Sequence, residues 1–260
     1  MYLYALPEGC FHGDSCRLTI TIDSVQPNTV YFVDAEVIRG DSLTLDIIPA
    51  KAMTGCRILS VSADTLLIDR LMFTSLPIVQ LEGEFGYDYM QGRFGLQAAD
   101  SLTAGRLLAK IKWRGGSTNG EGRHKRNYHV KFLADTLGGE QEVNFMGFRS
   151  SDSWILDAAQ VDLSRIRNRT CTDLWNDFAR RPYYAAKEPE ARSGARGRFV
   201  ELFLNHRYMG VYSLGEAIDR KQLKLKKYKN EEIRGQLWKT KAWTTDVTMY
   251  GVPEYDNEQE

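Results

Sequence analysis

The stretch from Leu107 to Leu133 constrains this chain more than any other, because two runs of alternating character meet there across a glycine-rich, basic loop: LLAKIKW, then RGGSTNGEGRHKR, then NYHVKFL. In the first run Leu107, Ala109, Ile111 and Trp113 alternate with Leu108, Lys110, Lys112 and Arg114. In the second, Tyr128, Val130 and Phe132 alternate with Asn127, His129 and Lys131. A period of two belongs to a half-buried strand, so the runs predict a hairpin with one aromatic and aliphatic face in a core. The other face carries Lys110, Lys112, Arg114, His129 and Lys131. The connection holds Gly115, Gly116, Gly120 and Gly122 beside Ser117, Thr118 and Asn119, so its backbone can approach a ligand closely and present several N–H groups to it. That is a cradle for an anion such as phosphate. It lacks P-loop or GxGxxG spacing, and a solvated surface hairpin satisfies the same pattern.

The 34 basic residues balance 34 acidic ones across 260 residues, so no global field draws the chain to nucleic acid or to a membrane surface. Lys and Arg gather instead between 106 and 131 and between 220 and 241, while the end, EYDNEQE, is acidic. No apolar run approaches the ~20 residues that span a bilayer, and MYLYALPEGC lacks the basic start and apolar core of a signal peptide. The chain is therefore expected to be cytoplasmic, or to have had its signal removed. Cys10, Cys16, Cys56 and Cys171 fit no zinc spacing; Cys10 and Cys16 enclose a loop short enough to bridge in an oxidising compartment, and four buried thiols fit equally well. His12 stands alone beside Cys10 and Cys16, without further ligands for a metal.

Residues 1–76 read as a β-rich module: RLTITI, TVYFVDAEV, SLTLDII, CRILSV and TLLI are short apolar or alternating runs with turn residues between them. A docking or spacing role is expected of it. A boundary falls at Ser75–Pro77, LPIVQLEG adds a strand, and Glu82–Asp100 reads as an irregular connection. After the hairpin a turn-rich segment leads to the strand SWILDA. Asp162 then caps an amphipathic helix whose stripe of Leu163, Ile166, Cys171, Leu174, Trp175 and Phe178 is expected to pack on the sheet. Arg165, Arg167 and Arg169 fall in its first turns, against the helix dipole. FVELFL, NHR and YMGVYSL form a second hairpin turning at Asn205, and QLWKTKAW offers one more strand. The fold class expected is α+β: the β module, then a mainly antiparallel sheet with one packed helix.

The order of these segments resembles a known family. RGGST with its basic loop and YHVKF, then SWILDAAQVDLSRIRNRTCTDLW, then FVELFLNHRYMGVYSLGEAIDR is similar to the N-terminal part of the CotH kinase family, the spore-coat-protein-H-like atypical protein kinases, mostly secreted or surface-associated bacterial proteins. The resemblance runs from about Gly105 to Asp219 and leaves residues 1–76 outside it. It implies that residues 77–260 form a kinase-like smaller lobe that embraces ATP, with a divalent metal, Mg or Mn, and a protein Ser/Thr substrate as the complete family member's partners. The same resemblance implies that Arg114, Gly115, Gly116 and Ser117 face the phosphates. Lys125 and Lys131 match paired basic positions, either of which could neutralise phosphate; alternation favours Lys131, which shares a face with Arg114. Arg167 would lie at the RN motif of the regulatory helix, and Glu216 near the adenine hinge. Each has a structural rival, for Asp162 serves as a cap, Asn205 as a turn and Glu216 as an ordinary ion-pair partner.

The family's catalytic aspartates lie in a larger lobe, in DG and WDFD-like motifs downstream of these segments, and no such motif occurs here. Phosphoryl transfer rests on carboxylate-held metal ions and a base that orients the acceptor. The expectation is thus a partial CotH-like kinase, inactive by itself, with no catalytic or metal-ligating residue of its own. The alternative is a noncatalytic cell-surface module that binds protein or glycan.

Overall fold

Alternating burial builds strands along most of this chain, and strand pairing then decides what each strand faces. The structure is a computed structural model and describes residues 2–21, 30–34, 36–38, 42–62, 66–98, 104–120 and 122–226. The N-terminal part runs β1 (Tyr2–Ala5), α1 (Gly9–His12), β2 (Cys16–Thr21), β3 (Val30–Val33), β4 (Glu36–Val37), β5 (Ser42–Ile47), α2 (Pro49–Thr54), β6 (Cys56–Val61) and β7 (Leu66–Thr74). A five-stranded sheet has the order β1-β7-β6-β3-β4, and β2 pairs with β5 apart from it. Leu18, Val33, Leu45, Ile47, Cys56 and Phe73 give this region its own core.

The β-rich reading of 1–76 describes this region well, and α1 and α2 add to it. α2 starts on Pro49, whose fixed φ suits a first helical turn. Cys10 and Cys16 form a disulfide, so two of the four cysteines are paired. Cys56 is a buried thiol pushed up to about 11 by burial and by the nearby Asp34 carboxylate, and Cys171 is exposed.

Then follow β8 (Ile78–Glu82), β9 (Met90–Gln97), β10 (Ala104–Arg114), β11 (Asn127–Phe132), β12 (Ser153–Asp157), α3 (Arg167–Phe178), β13 (Gly197–Leu204) and β14 (Arg207–Glu216). Seven of these strands close into a barrel in the order β10-β11-β12-β14-β13-β8-β9. All neighbours are antiparallel except β8 and β13, which pair in parallel from Ile78↔Glu201 to Leu81↔Leu204. The interior is filled with rings: Phe94 meets Phe132 edge-on at 5.1 Å, and Phe145 meets Trp154 at 5.1 Å. It is a packed core, with Ile111, Val130, Leu156, Val200 and Leu214 fully enclosed.

The second hairpin turns as expected. Asn205 and His206 both have positive φ, 48° and 65°, the left-handed pair a tight two-residue turn requires. The Asn205 side chain also accepts from Gly83 N–H at 2.9 Å and donates to Gly83 carbonyl oxygen at 3.0 Å, tying the turn to the end of β8. Two sequence expectations are corrected. The segment Glu82–Asp100 contains the eight-residue strand β9, whose Phe94 and Leu96 point inward. One of its glycines has a packing reason: a Cβ on Gly92 would run into the Phe85 ring and the Glu82 carbonyl.

The helix also begins later than expected. Asp162 accepts from the backbone N–H groups of Ser164 at 3.0 Å and Arg167 at 2.9 Å, and Arg165 takes a left-handed φ of 59°, so helical geometry starts only at Arg167. The strand expected over QLWKTKAW, 236–243, lies outside the described residues.

The chain divides into two compact units, Met1–Arg167 with Gly197–Glu216, and Asn168–Arg196 with Ala217–Glu260. The first holds every described strand; the second holds nearly all of α3. Within the second, Arg169 is the helix's buried side chain, ion-paired with Asp173 at 2.6 Å, and Asn176 donates to the Ala195 carbonyl at 2.9 Å. The apolar stripe stands exposed instead of packed, with Leu174 at 53% and Phe178 at 67%. Burial on this helix follows polar partners, which an apolar periodicity does not reveal.

Candidate anion-binding site on the basic hairpin

β10 and β11 pair as the sequence predicts. Lys110 lies opposite Lys131, Lys112 opposite His129 and Arg114 opposite Asn127, with Ala109, Ile111, Tyr128, Val130 and Phe132 buried on the barrel side. All the cations therefore share the outer wall. Among the described residues none of Lys110, Lys112, Arg114, Lys125 and Lys131 forms a direct ion pair with a carboxylate, although the Glu201 charge reaches Lys125. Like charges placed directly across a pair of strands oppose folding, so the Lys110/Lys131 juxtaposition has no stabilising counterpart in the hairpin itself.

At the rim the loop folds on its own groups. A short 3-10 turn spans Ser117–Asn119, Gly115 takes φ 101°, and a Cβ there would strike the Thr118 hydroxyl. Arg126 donates to the carbonyls of Asn119 and Gly120 and stacks on Trp113 at 4.6 Å. Tyr87 donates to the Asn119 carbonyl at 3.0 Å. These contacts take up carbonyl oxygens, which leaves the loop's donors as its distinctive offering: the Asn119 side chain is fully buried and its Nδ2 has no partner. Gly116 faces open space, with nothing within 4 Å of an added Cβ.

Lys125 lies at this same rim. Its ammonium donates to the Val211 carbonyl at 2.8 Å and sits 4.4 Å above the Tyr212 ring. Burial, and then the nearby Arg165 charge, bring it down to about 8, with Glu201 acting the other way. Tyr212 is buried, and its pKa is raised chiefly by burial, with the Arg126 backbone acting the other way.

Lys131 lies four residues along β11 from Asn127, ~13 Å from the rim at the rise of a strand. There it belongs to a different group. Tyr89, just before β9, has Lys112 Nζ 4.7 Å, Lys110 Nζ 5.7 Å and Lys131 Nζ 5.8 Å from its ring centre. The Tyr89 hydroxyl pairs with His129 Nδ1 at 2.9 Å, and His129 Nε2 pairs with Ser153 Oγ at 2.7 Å. His129 is brought down to about 4, first by burial and then by Lys131, Arg114 and Lys112, with Asp152 opposing. The histidine stays neutral first because it is buried and then because the field around it is positive.

The remaining residues singled out in the sequence lie elsewhere. Arg167 is largely exposed and ion-paired to Asp162 at 3.4 Å. Glu216 is buried at the far end of the barrel strands, opposite Trp154, and accepts from Arg149 N–H at 2.9 Å. That position is three residue steps, ~10 Å, along the strands from the Asn127 end. The structure thus brings Arg114, Gly115, Gly116, Ser117 and Lys125 to one rim, sets Lys131 on the flank, pairs Arg167 with Asp162 and buries Glu216 beyond β12. Sequence reading did not single out Tyr89 or Arg126, and it placed Arg165 in the first turns of the helix, not beside Lys125. Tyr89 precedes the alternation of Phe94 and Leu96, which was the available signal.

Two clefts, of about 370 and 220 Å³, are lined by Tyr4, Leu6, Arg17 and Gln97 and by Leu3, Gln80, Phe203 and His206, and neither touches the basic hairpin. Among the described residues no three His, Cys, Asp or Glu side chains are placed to hold a metal ion, and no helix is long and apolar enough to cross a membrane. The family model described as CotH kinase protein matches residues 111–260, more than half of the chain and including β11, the rim loop and β14. No curated protein matches it.

Proposed function

The chain belongs to the CotH kinase family, and from that premise we propose that residues 77–260 are the nucleotide-embracing part of an ATP-dependent protein kinase, preceded by the N-terminal β module. The observation that carries this reading is the convergence of Arg114, Lys125 and the glycine-rich turn at Gly115 and Gly116 on one rim, beside an Asn119 amide nitrogen without a partner. Arg114, the backbone of Gly115, Gly116 and Ser117, the Asn119 amide and Lys125 are the groups that would hold the phosphates at the rim. Arginine offers a planar fork for phosphate oxygens, a lysine offers a point charge, and glycine-rich backbone offers N–H donors. A half-buried ammonium brought to about 8 is still mostly charged at neutral pH, so Lys125 can neutralise a phosphate there.

The described residues do not fit a metal ion, so no step through one is derived for this chain. The reading is of a secreted or surface protein, supported by the Cys10–Cys16 disulfide, which persists in oxidising compartments.

Isothermal titration with ATP, with and without Mg or Mn, tests the reading. Binding is expected, and Arg114→Ala and Lys125→Ala are each expected to weaken it about tenfold, as loss of a charge-assisted contact does. Lys131→Ala is expected to leave it nearly unchanged. Absence of heat at millimolar nucleotide would sink the nucleotide role and favour the noncatalytic surface module. Loss of binding in Lys131→Ala alone would move the phosphates from the rim to the flank.

A further inference from the structure

The flank of the hairpin has a geometry of its own that the rim does not explain. Lys110 and Lys131 are direct cross-strand partners and Lys112 is the next outward residue on β10, so their three Cα atoms lie within ~5–8 Å of one another. Their ammonium groups stand within 5.8 Å of the single Tyr89 ring. Three positive charges are thus focused on one small area, with Arg114 at its rim end. One carboxylate, the buried Asp152, lies close enough for its charge to act on both Tyr89 and His129, so three lysines face a single opposing charge.

Tyr89 is fixed in place by His129, which is fixed in turn by Ser153, so the ring beneath the lysines is held by a continuous line of hydrogen bonds. A preset cluster of this kind, compact instead of strung along a strand, matches one tetrahedral dianion better than a row of spaced carboxylates.

We propose that Lys110, Lys112 and Lys131, arranged around Tyr89, form a receptor for a phosphate monoester carried on a protein segment. The lysines stand on the outer wall of the barrel, and neither of the clefts described above reaches them. The three lysines are half-exposed, so they are open to a chain that presents a phosphoryl group. In a protein of a kinase family, such a segment is a phosphorylated acceptor or a phosphorylated stretch of a second protein. The inference concerns residues other than those given to ATP at the rim, and it stands whether or not the rim binds nucleotide.

Fluorescence anisotropy with a short labelled Gly/Ala peptide bearing one phosphoserine tests it, using the same peptide with serine as the control. The phosphopeptide is expected to bind at least about tenfold tighter than the serine peptide, with affinity falling as salt rises. Lys110→Gln, Lys112→Gln and Lys131→Gln should each weaken it about tenfold while Arg114→Ala has a smaller effect, and Lys131→Arg should retain it. Lys110, Lys112 and Lys131 are half-exposed and Arg114 is exposed, and matched melting temperatures would show that the variants fold. Equal affinity for the two peptides, or indifference to all three glutamine variants, overturns the proposal. Displacement by inorganic phosphate at the phosphopeptide's own affinity also overturns it, assigning the cluster to the free ion. Displacement by ATP, coupled with loss of ATP binding in the glutamine variants, assigns it to nucleotide and refutes it as well.

Discussion

Acidification is expected to weaken this fold through His129. Its ordinary value of 6.5 is brought to about 4 by burial and by Lys131, Arg114 and Lys112, against the opposing charge of Asp152. Because the folded value lies below the unfolded one, the full contribution is present above pH 6.5. It is lost as pH falls toward 4, where the unfolded chain takes up a proton that the folded chain refuses. At about 1.4 kcal/mol per pH unit the interval has a ceiling of ~3 kcal/mol. His129 is half-buried, so solvent and salt screen part of the field, and a loss of ~1–2 kcal/mol is the expected size.

Carboxylates elsewhere titrate over part of the same range, so the assay must be differential: urea unfolding of the wild type and His129→Gln at pH 7 and at pH 4.5. Glutamine keeps a donor and an acceptor for Tyr89 and Ser153 but cannot take a charge. The wild type should lose ~1–2 kcal/mol more than the variant between the two pH values. An NMR titration of His129 should place its midpoint near 4, moving upward in Lys131→Gln. Parallel pH dependence of the two proteins, or a midpoint between 6 and 7, would refute the reasoning.

The rim loop makes a sharp contrast between neighbouring glycines. Gly115→Ala must hold a left-handed φ and displace the Thr118 hydroxyl, so a loss of ~1–3 kcal/mol is expected, with ATP binding weakened; Gly116→Ala meets open space and should cost under ~0.5 kcal/mol. Thermal melts of the two variants check this, and equal effects would contradict the loop geometry. In the N-terminal region, removing the Cys10–Cys16 bridge by paired serine substitution should cost about 2 kcal/mol, the loop-closure value for so short a span. An unchanged melt in the presence and absence of reductant would show that the bridge does not hold this region together.

What could be read from the sequence, and what could not, follows from the range of the forces involved. The basic hairpin was legible because each strand carries its own alternation, which puts Ala109, Ile111, Tyr128, Val130 and Phe132 inward and the lysines outward, while the register that sets Lys110 against Lys131 is seen only in the structure. Closure of the barrel was not legible. It depends on β8 pairing in parallel with β13 across more than a hundred residues, and on β9, whose alternation is interrupted by Gly92 and Gly95. That omission had a chemical consequence. With β9 read as irregular connection, Tyr89 had no place beside the lysines, so Lys131 could be grouped only with Arg114 on the shared face. Once β9 is in register with β10, Ile111 lies opposite Met90, and Tyr89 is carried to the outer wall between Lys110, Lys112 and Lys131. Shared face is therefore a weaker criterion for a site than shared position along the strands. Arg114 and Lys131 satisfy the first and are separated by ~13 Å under the second, which is why the rim and the flank are expected to answer to different substitutions.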